Sequence, residues 1–90
     1  MATVRRRLNV SGDVQGVFFR DSCRQEAIAL GVGGWASNRP DGNVEVCLEG
    51  EEAAVEKMIS WCRQGPAMAR VDDVEVIEEE PEGESTFSIR

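Results

Sequence analysis

The segment from Gly12 to Arg20 connects an apolar strand pattern to a helix pattern and contains two glycines and an arginine. Unpaired N–H groups at a helix N-terminus, together with the positive end of the helix dipole, form a site for anions. Gly12 and Gly16 permit the backbone to curl so that several N–H groups converge. Arg20 adds a guanidinium whose fixed fork of donors matches phosphate oxygens. The segment therefore predicts a phosphate site, although a plain glycine-rich connection with Arg20 as a surface charge has the same spacing.

Hydrophobic periodicity predicts the elements around this segment. Strands are predicted over residues 3–11, 35–38 and 44–48, around Val74 and Val76, and at 87–89, and helices over 21–30 and 51–63. Pro40-Asp41-Gly42 indicates a turn that makes a hairpin of the second and third strands. The order βαββαβ predicts a ferredoxin-like α+β sandwich, in which one antiparallel sheet carries two helices on one face, as a single domain of residues 1–90.

Asn38 ends the second predicted strand. In a βαββαβ sheet the first two strands run in the same direction, so the ends that carry residues 12–20 and Asn38 lie at one edge. With one strand between them the backbones are about 10 Å apart, a gap that the Arg20 and Asn38 side chains can close around a ligand. Asn38 is thus a second candidate, although an Asn beside Pro40 and Gly42 is also typical of a turn.

Composition excludes several kinds of chemistry. The 90 residues include no His and no Tyr, which excludes Ser-His and Cys-His nucleophilic schemes. The net charge of −7 includes an acidic run over residues 72–84, which repels nucleic acid and is interpreted as a solvated strand face and loop.

Cys23, Cys47 and Cys62 fit neither a zinc spacing nor an even disulfide framework and are interpreted as core residues, although the spacing does not settle whether Cys23 and Cys62 approach each other. We find no signal peptide or membrane span and expect a cytoplasmic protein without metal, cofactor or membrane contact.

Two longer patterns resemble the signatures of the acylphosphatase family. They are Gly12-x-Val14-Gln15-Gly16-Val17-x-Phe19-Arg20 and Gly34-Trp35-x-x-Asn38-x-x-Asp41-Gly42-x-Val44-Glu45. The resemblance spans nearly the whole chain, including the terminal Phe87-Ser88-Ile89-Arg90. It implies one acylphosphatase-like domain that hydrolyses acyl phosphates to a carboxylate and inorganic phosphate without a metal.

The resemblance also implies a role for each site residue. Arg20 and Asn38 would be the catalytic residues, with Arg20 and the loop N–H groups binding the phosphate and Asn38 positioning the attacking water. The substrate-binding residues would be Val14, Gln15, Gly16, Val17, Phe18, Phe19 and Arg20. The expected partners are a small acyl phosphate and inorganic phosphate, the latter as product and competitive inhibitor. We expect a monomer, although an unpaired edge strand could invite dimerisation.

Three residues depart from the commoner family pattern. Asp13 and Ser37 stand where relatives often carry basic or imidazole side chains, and Ala36 where they often carry valine. The first two lower the local positive charge, so we expect a modest affinity for inorganic phosphate. The missing histidine fits the chemistry, because a carboxylate leaves an acyl phosphate without being protonated.

The same fold also admits three other classes of protein. A nucleic-acid-binding module would need positive charge and exposed aromatics on the sheet, whereas Phe19 and Trp35 are interpreted as core residues. A metallochaperone would need paired thiols. A regulatory domain that binds an anion without catalysis stays open, and turnover of an acyl phosphate in the presence of a chelator separates it from an enzyme.

Overall fold

The computed structural model describes residues 2–90, which form a five-stranded sheet and two helices. In chain order the elements are β1 (Thr3–Asp13), α1 (Phe19–Leu30), β2 (Gly33–Asn38), β3 (Val44–Glu51), α2 (Glu52–Gln64), β4 (Arg70–Glu79) and β5 (Phe87–Ile89). The strands lie side by side in the order β4-β1-β3-β2-β5. The ferredoxin-like α+β fold predicted from the sequence is confirmed.

The sheet is antiparallel except at one edge. β1 and β2 both pair antiparallel with β3, so they run in the same direction with one strand between them, as predicted. β5 pairs parallel with β2, from Gly34 beside Phe87 to Ala36 beside Ile89, so the sheet is mixed, which corrects the prediction of a wholly antiparallel sheet. β5 runs parallel to β2 because of the path that the chain takes to reach it. β4 lies at the opposite edge, and residues 80–86 must carry the chain across to the outside of β2.

The core lies between the sheet and the two helices. α1 contributes Phe19, Cys23 and Ala27 to it, and buried residues of α2 complete the same cluster with strand residues such as Leu8 and Val46. Both helices therefore pack on one face of the sheet, as predicted. No helix within residues 2–90 combines the length and apolarity needed to cross a membrane.

The other face of the sheet holds a buried ion pair. Arg5 and Glu49 are each 3% exposed, and Arg5 Nη1 donates to Glu49 Oε1 at 3.0 Å. Glu49 also accepts hydrogen bonds from the main-chain N–H groups of residues 82–84, at 2.7 to 3.0 Å. Arg5 Nε donates to Glu79 at 3.1 Å. Most carboxylates of the acidic run are exposed, as predicted from the sequence. The exceptions are Glu79 and Glu84, which are half-buried, and Glu79 helps to neutralise the buried guanidinium.

Trp35 and the cysteines are buried in different places. Trp35 is buried as predicted, but on the face away from the helices, where the Arg90 guanidinium lies 4.6 Å from its ring centroid. Cys23 and Cys62 lie in the core between the sheet and the helices. The pKa of Cys23 is raised mainly by its hydrogen bond with Cys62 and in addition by burial. Burial raises the pKa of Cys47 to about 11. All three thiols are buried and unpaired, which confirms their interpretation as core residues.

Replacing Glu49 by Gln is expected to lower the free energy of unfolding by about 3 kcal/mol, because the buried Arg5 guanidinium then loses its most deeply buried carboxylate partner and the N–H groups of residues 82–84 lose a charged acceptor. Burial alone would raise the pKa of Glu49, but the N–H donors of residues 82–84 and Arg5 outweigh it and hold that pKa below its ordinary value of 4.5. The stabilisation is therefore complete above pH 4.5 and is lost as the pH falls through the lower native pKa. Urea unfolding of wild type and Glu49→Gln at decreasing pH should show the two stabilities converge; a difference that stays constant into acid would contradict this assignment.

Candidate active site

One cavity of about 240 Å³ opens where the loop after β1, the start of α1 and the end of β2 meet. Its lining consists of Val14, Gly16, Phe18, Phe19, Arg20, Asp21, Asn38 and Ile89. Most of the site residues singled out from the sequence are thus brought together. Gln15 and Val17 lie outside the lining, whereas Asp21 and Ile89 join it without having been predicted.

The loop over residues 14–18 turns through two left-handed backbone conformations. Gly16 has φ +74° and Phe18 has φ +64°. For a non-glycine residue such as Phe18 this conformation costs about 1–2 kcal/mol. The first hydrogen bond of α1 runs from Ser22 N–H to Phe18 O at 3.0 Å, so the N–H groups of residues 19–21 precede it without partners inside the helix. Since Phe18 provides no side-chain cap, the start of α1 presents main-chain donors to an anion.

Gly12 does not belong to this loop, which corrects the prediction that it helps to shape the anion cradle. It lies in β1 beside Val71 of β4, where the register of the two strands shifts after Ser11. Its φ is +126°, and a side chain there would collide with the Arg70 carbonyl oxygen. Glycine is required at this position because the neighbouring strand approaches closely at an irregularity of the sheet.

Arg20 lies in the first turn of α1 with its side chain half-buried at the cavity. Its Nη1 donates to the main-chain oxygen of Arg90 at 3.0 Å, which orients the guanidinium. A guanidinium carries five N–H donors, so this contact leaves others to meet an anion. Asp21, next in the chain, also lines the cavity, and Gln25 Nε2 donates to its carboxylate at 3.3 Å. A carboxylate at this cavity opposes the binding of an anion, and the modest phosphate affinity expected from the sequence stays a prediction.

Asn38 is the last residue of β2, where its backbone pairs with Val44 of β3. Its half-buried side chain lines the same cavity as Arg20. The topology argument from the sequence therefore placed both residues at the correct edge of the sheet. An amide there can donate to one oxygen and accept from another, which is what holding a water molecule requires.

Gln15 connects the loop to the turn that follows Asn38. Its Nε2 donates to Arg39 O at 2.7 Å and to Asn43 O at 2.9 Å. The turn is closed in addition by the hydrogen bond from Arg39 N–H to Asn43 O and by the Asp41 side chain, which accepts from Asn43 N–H. The Gln15 side chain therefore ties the loop over residues 14–18 to the turn after Asn38, a contact that spacing alone did not reveal.

The apolar residues of the loop anchor it in the core. Val14 and Phe19 are buried, and the Phe19 ring lies 5.4 Å from that of Trp61. Val17 is half-buried and packs against the same cluster. Their side chains hold the loop in place while the backbone faces the cavity. Within residues 2–90 no three cysteine or carboxylate side chains are grouped in a way that could hold a metal ion.

Comparison with known proteins places this architecture in a family. A family model of acylphosphatase matches residues 6–89. An acylphosphatase of Rubrobacter xylanophilus is 56% identical over 90 residues, covering 98% of this chain and 81% of the relative. One from Thermococcus kodakarensis is 52% identical over 89 residues, covering 99% and 98%. The crystal structure of acylphosphatase from Bacillus subtilis matches with a TM-score of 0.93 at 38% identity, covering 97% and 98%.

Fold and cavity together define a class, that of ferredoxin-like α+β proteins with a cavity at the start of the first helix. Within that class, the chain belongs to the acylphosphatase family and is an enzyme of that family, a hydrolase of carboxylic-phosphoric anhydrides.

Proposed function

We propose that this chain hydrolyses acyl phosphates to a carboxylate and inorganic phosphate without a metal ion, and that the loop, Arg20 and Asn38 divide the work. The observation that carries the proposal is the shared cavity, in which Arg20, Asn38 and the start of α1 face one space. Each of the three supplies something that the reaction needs, and each comes from a different element of the fold.

The loop and Arg20 bind the phosphoryl group. Main-chain N–H groups at the start of α1 donate to its oxygens, and the positive end of the helix dipole adds to the attraction. The Arg20 guanidinium forms charge-assisted hydrogen bonds to the same oxygens, which are roughly twice as strong as neutral ones. Because these donors are fixed before the substrate arrives, they stabilise the charge that spreads over the phosphoryl oxygens in the transition state.

Asn38 orients the water that attacks phosphorus. A bond forms between the water oxygen and phosphorus while the bond from phosphorus to the bridging oxygen breaks. The bond pair leaves with the carboxylate, which needs no proton because a carboxylic acid has a pKa of about 4. The water proton passes to a phosphoryl oxygen of the substrate itself. The side chains therefore have to orient the water and stabilise the charge on the phosphoryl oxygens. Positioning of this kind can by itself supply a large acceleration of the reaction.

Phosphate release from acetyl phosphate and benzoyl phosphate in the presence of EDTA tests the proposal. We expect saturable hydrolysis of both compounds, with inorganic phosphate as a competitive inhibitor. A regulatory binding protein would instead bind the acyl phosphate without releasing phosphate. Binding without turnover, or turnover that EDTA abolishes, would overturn the proposal.

Replacing Gln15 by Leu is expected to lower kcat/KM for acyl phosphates by about tenfold, because the loop and Asn38 lose the connection that sets their separation. The change keeps a side chain of similar size but removes both donors to Arg39 O and Asn43 O. The loss of two partly exposed hydrogen bonds should cost about 1–2 kcal/mol of stability. Kinetics and urea unfolding of Gln15→Leu measure both effects, with Gln64→Leu at the exposed end of α2, outside the cavity, as control. Equal kinetics in the two variants would show that Gln15 does not position the site.

We further propose that residues 1–90 form one domain, and that the protein is a monomer in the cytoplasm. The match of the family model to residues 6–89 supports one domain. Three unpaired thiols, two of them in contact, suit a reducing compartment. The outer edge strand β4 carries Asp72, Asp73 and Glu75, and like charges on an edge strand oppose pairing with a second copy.

A further inference from the structure

A network of ion pairs crosses the face of the sheet that lies away from the helices. Its most buried members are Arg5 and Glu49, each 3% exposed. Arg5 also contacts Glu79, whose second carboxylate oxygen lies 2.8 Å from Arg7 Nη2. From Arg7 the network continues to Glu45, with 3.5 Å between Arg7 Nη1 and Glu45 Oε2. The members of this ion-pair network are, in order, Glu49, Arg5, Glu79, Arg7, Glu45 and Arg39.

The network ends at Arg39, which lies outside the strands, in the turn after β2. Arg39 Nη1 lies 3.3 Å from Glu45 Oε1, and the Arg39 side chain is 50% exposed. An isolated ion pair at such a site contributes little, because fixing two long side chains offsets their attraction. Arg7, however, already holds the other oxygen of Glu45, which is only 19% exposed. The Glu45 carboxylate is therefore a fixed acceptor for the Arg39 guanidinium.

Asn38 lies between two residues that both meet Glu45. Ser37, the residue before it, lies opposite Glu45 in the register of β2 and β3. Arg39, the residue after it, reaches the Glu45 carboxylate with its side chain. The side-chain contact thus adds a link between the end of β2 and β3 just past Asn38, which lines the site cavity. Glu45 therefore restrains the backbone on both sides of Asn38.

We propose that Glu45 is a positioning residue for the reaction, which acts through Arg39 to hold Asn38 where its amide orients the attacking water. The inference rests on the proposed function, because the position of Asn38 matters only if Asn38 holds that water. Glu45 lies outside the lining of the site cavity, so it acts through its neighbours and not by contact with the substrate. A displacement of about 1 Å at a reacting centre can cost about 10²-fold in rate, so even a small gain in the mobility of the turn should be measurable.

Glu45→Gln tests this assignment, because it keeps the size of the side chain and removes the charge that Arg7 and Arg39 share. We expect kcat for acetyl phosphate to fall by about threefold to tenfold. KM should stay within about twofold of wild type, since the loop and Arg20 still bind the phosphoryl group. Arg39→Gln should give the same loss of kcat. The double variant should lose no more than either single variant, because both changes break one contact.

Two comparisons isolate the route from Glu45 to Asn38. In the Asn38→Ala background, Glu45→Gln should leave kcat unchanged, because no amide remains to be displaced. Glu78→Gln removes a carboxylate that is 82% exposed on β4 and should keep wild-type kinetics, which controls for net charge. Urea unfolding checks that each variant is folded under the assay conditions. If Glu45→Gln did not fold, Arg39→Gln, at a half-exposed residue, would carry the same test.

The outcomes separate this inference from the proposed function. No phosphate release by wild type, or a wild-type kcat in Asn38→Ala, would overturn the proposed function itself. With those two results as expected, a wild-type kcat in Glu45→Gln would overturn only the role of Glu45. The same holds for a raised KM at unchanged kcat, for additive losses in the double variant with Arg39→Gln, for a further loss in the Asn38→Ala background, or for an equal loss in Glu78→Gln.

Discussion

Asn38→Ala is expected to lower kcat by about 10² to 10³-fold, with little change in KM for the acyl phosphate. The amide holds the attacking water and not the phosphoryl group, so its loss raises the barrier without weakening binding. The variant should fold, because the pairing of Asn38 with Val44 uses main-chain atoms at the end of β2. Steady-state kinetics on acetyl phosphate, with near-ultraviolet circular dichroism as the check on folding, measure the effect.

Asn9→Ala is the matched control for this prediction. It makes the same side-chain change on β1, outside the site cavity, where Asn9 accepts a hydrogen bond from Asn43 Nδ2 at 3.3 Å. Its kcat should stay close to that of wild type. A wild-type kcat in Asn38→Ala, or an equal loss in Asn9→Ala, would show that Asn38 does not position the water.

Arg20→Gln is expected to raise KM for acyl phosphates by about tenfold to a hundredfold, because it removes charge-assisted hydrogen bonds worth about 1.5–3 kcal/mol. The inhibition constant for inorganic phosphate should rise in parallel, since the same donors bind the product. The fold should persist, because Arg20 is only half-buried and its one hydrogen-bond partner within residues 2–90 is the main-chain oxygen of Arg90. Initial rates at varied substrate and phosphate concentrations give both constants.

Two further variants separate charge from geometry. Arg20→Lys keeps the charge but lacks the planar fork, so its KM should lie between those of wild type and Arg20→Gln. Arg24→Gln removes an exposed guanidinium one turn further along α1, outside the cavity, and should keep the KM of wild type. If Arg24→Gln raised KM as much as Arg20→Gln, the effect would come from the general field of the helix and not from a contact with phosphate.

The elements of the fold could be predicted because each has a local pattern. The alternation of Leu8 and Val10 with polar neighbours defines a strand without knowledge of its partners. The parallel pairing of β5 could not be predicted in this way, because it depends on the path of residues 80–86 across the sheet. That path is fixed by Glu49, more than 30 residues earlier in the chain. The partners of Arg5, 44 and 74 residues away, are equally invisible to a local pattern.

The candidate site likewise has features that the sequence predicts and features that it does not. The loop, Arg20 and Asn38 could be placed from sequence, because a strand-to-helix connection and the βαββαβ order determine which strand ends meet. The need for glycine at Gly12 can be explained only from the register between β1 and β4. The role of the Gln15 side chain depends on the carbonyl groups of a turn more than 20 residues away in the chain. Ile89 enters the cavity only because β5 pairs with β2. Each of these depends on contacts between elements that local patterns do not encode.

A crystal structure of the protein with bound inorganic phosphate tests the central claim most directly. The ion should lie at the start of α1, within hydrogen-bond distance of loop N–H groups and of the Arg20 guanidinium, with the Asn38 amide facing it across the cavity. An empty cavity at saturating phosphate, or a guanidinium that contacts only Arg90 while the ion binds elsewhere, would contradict it.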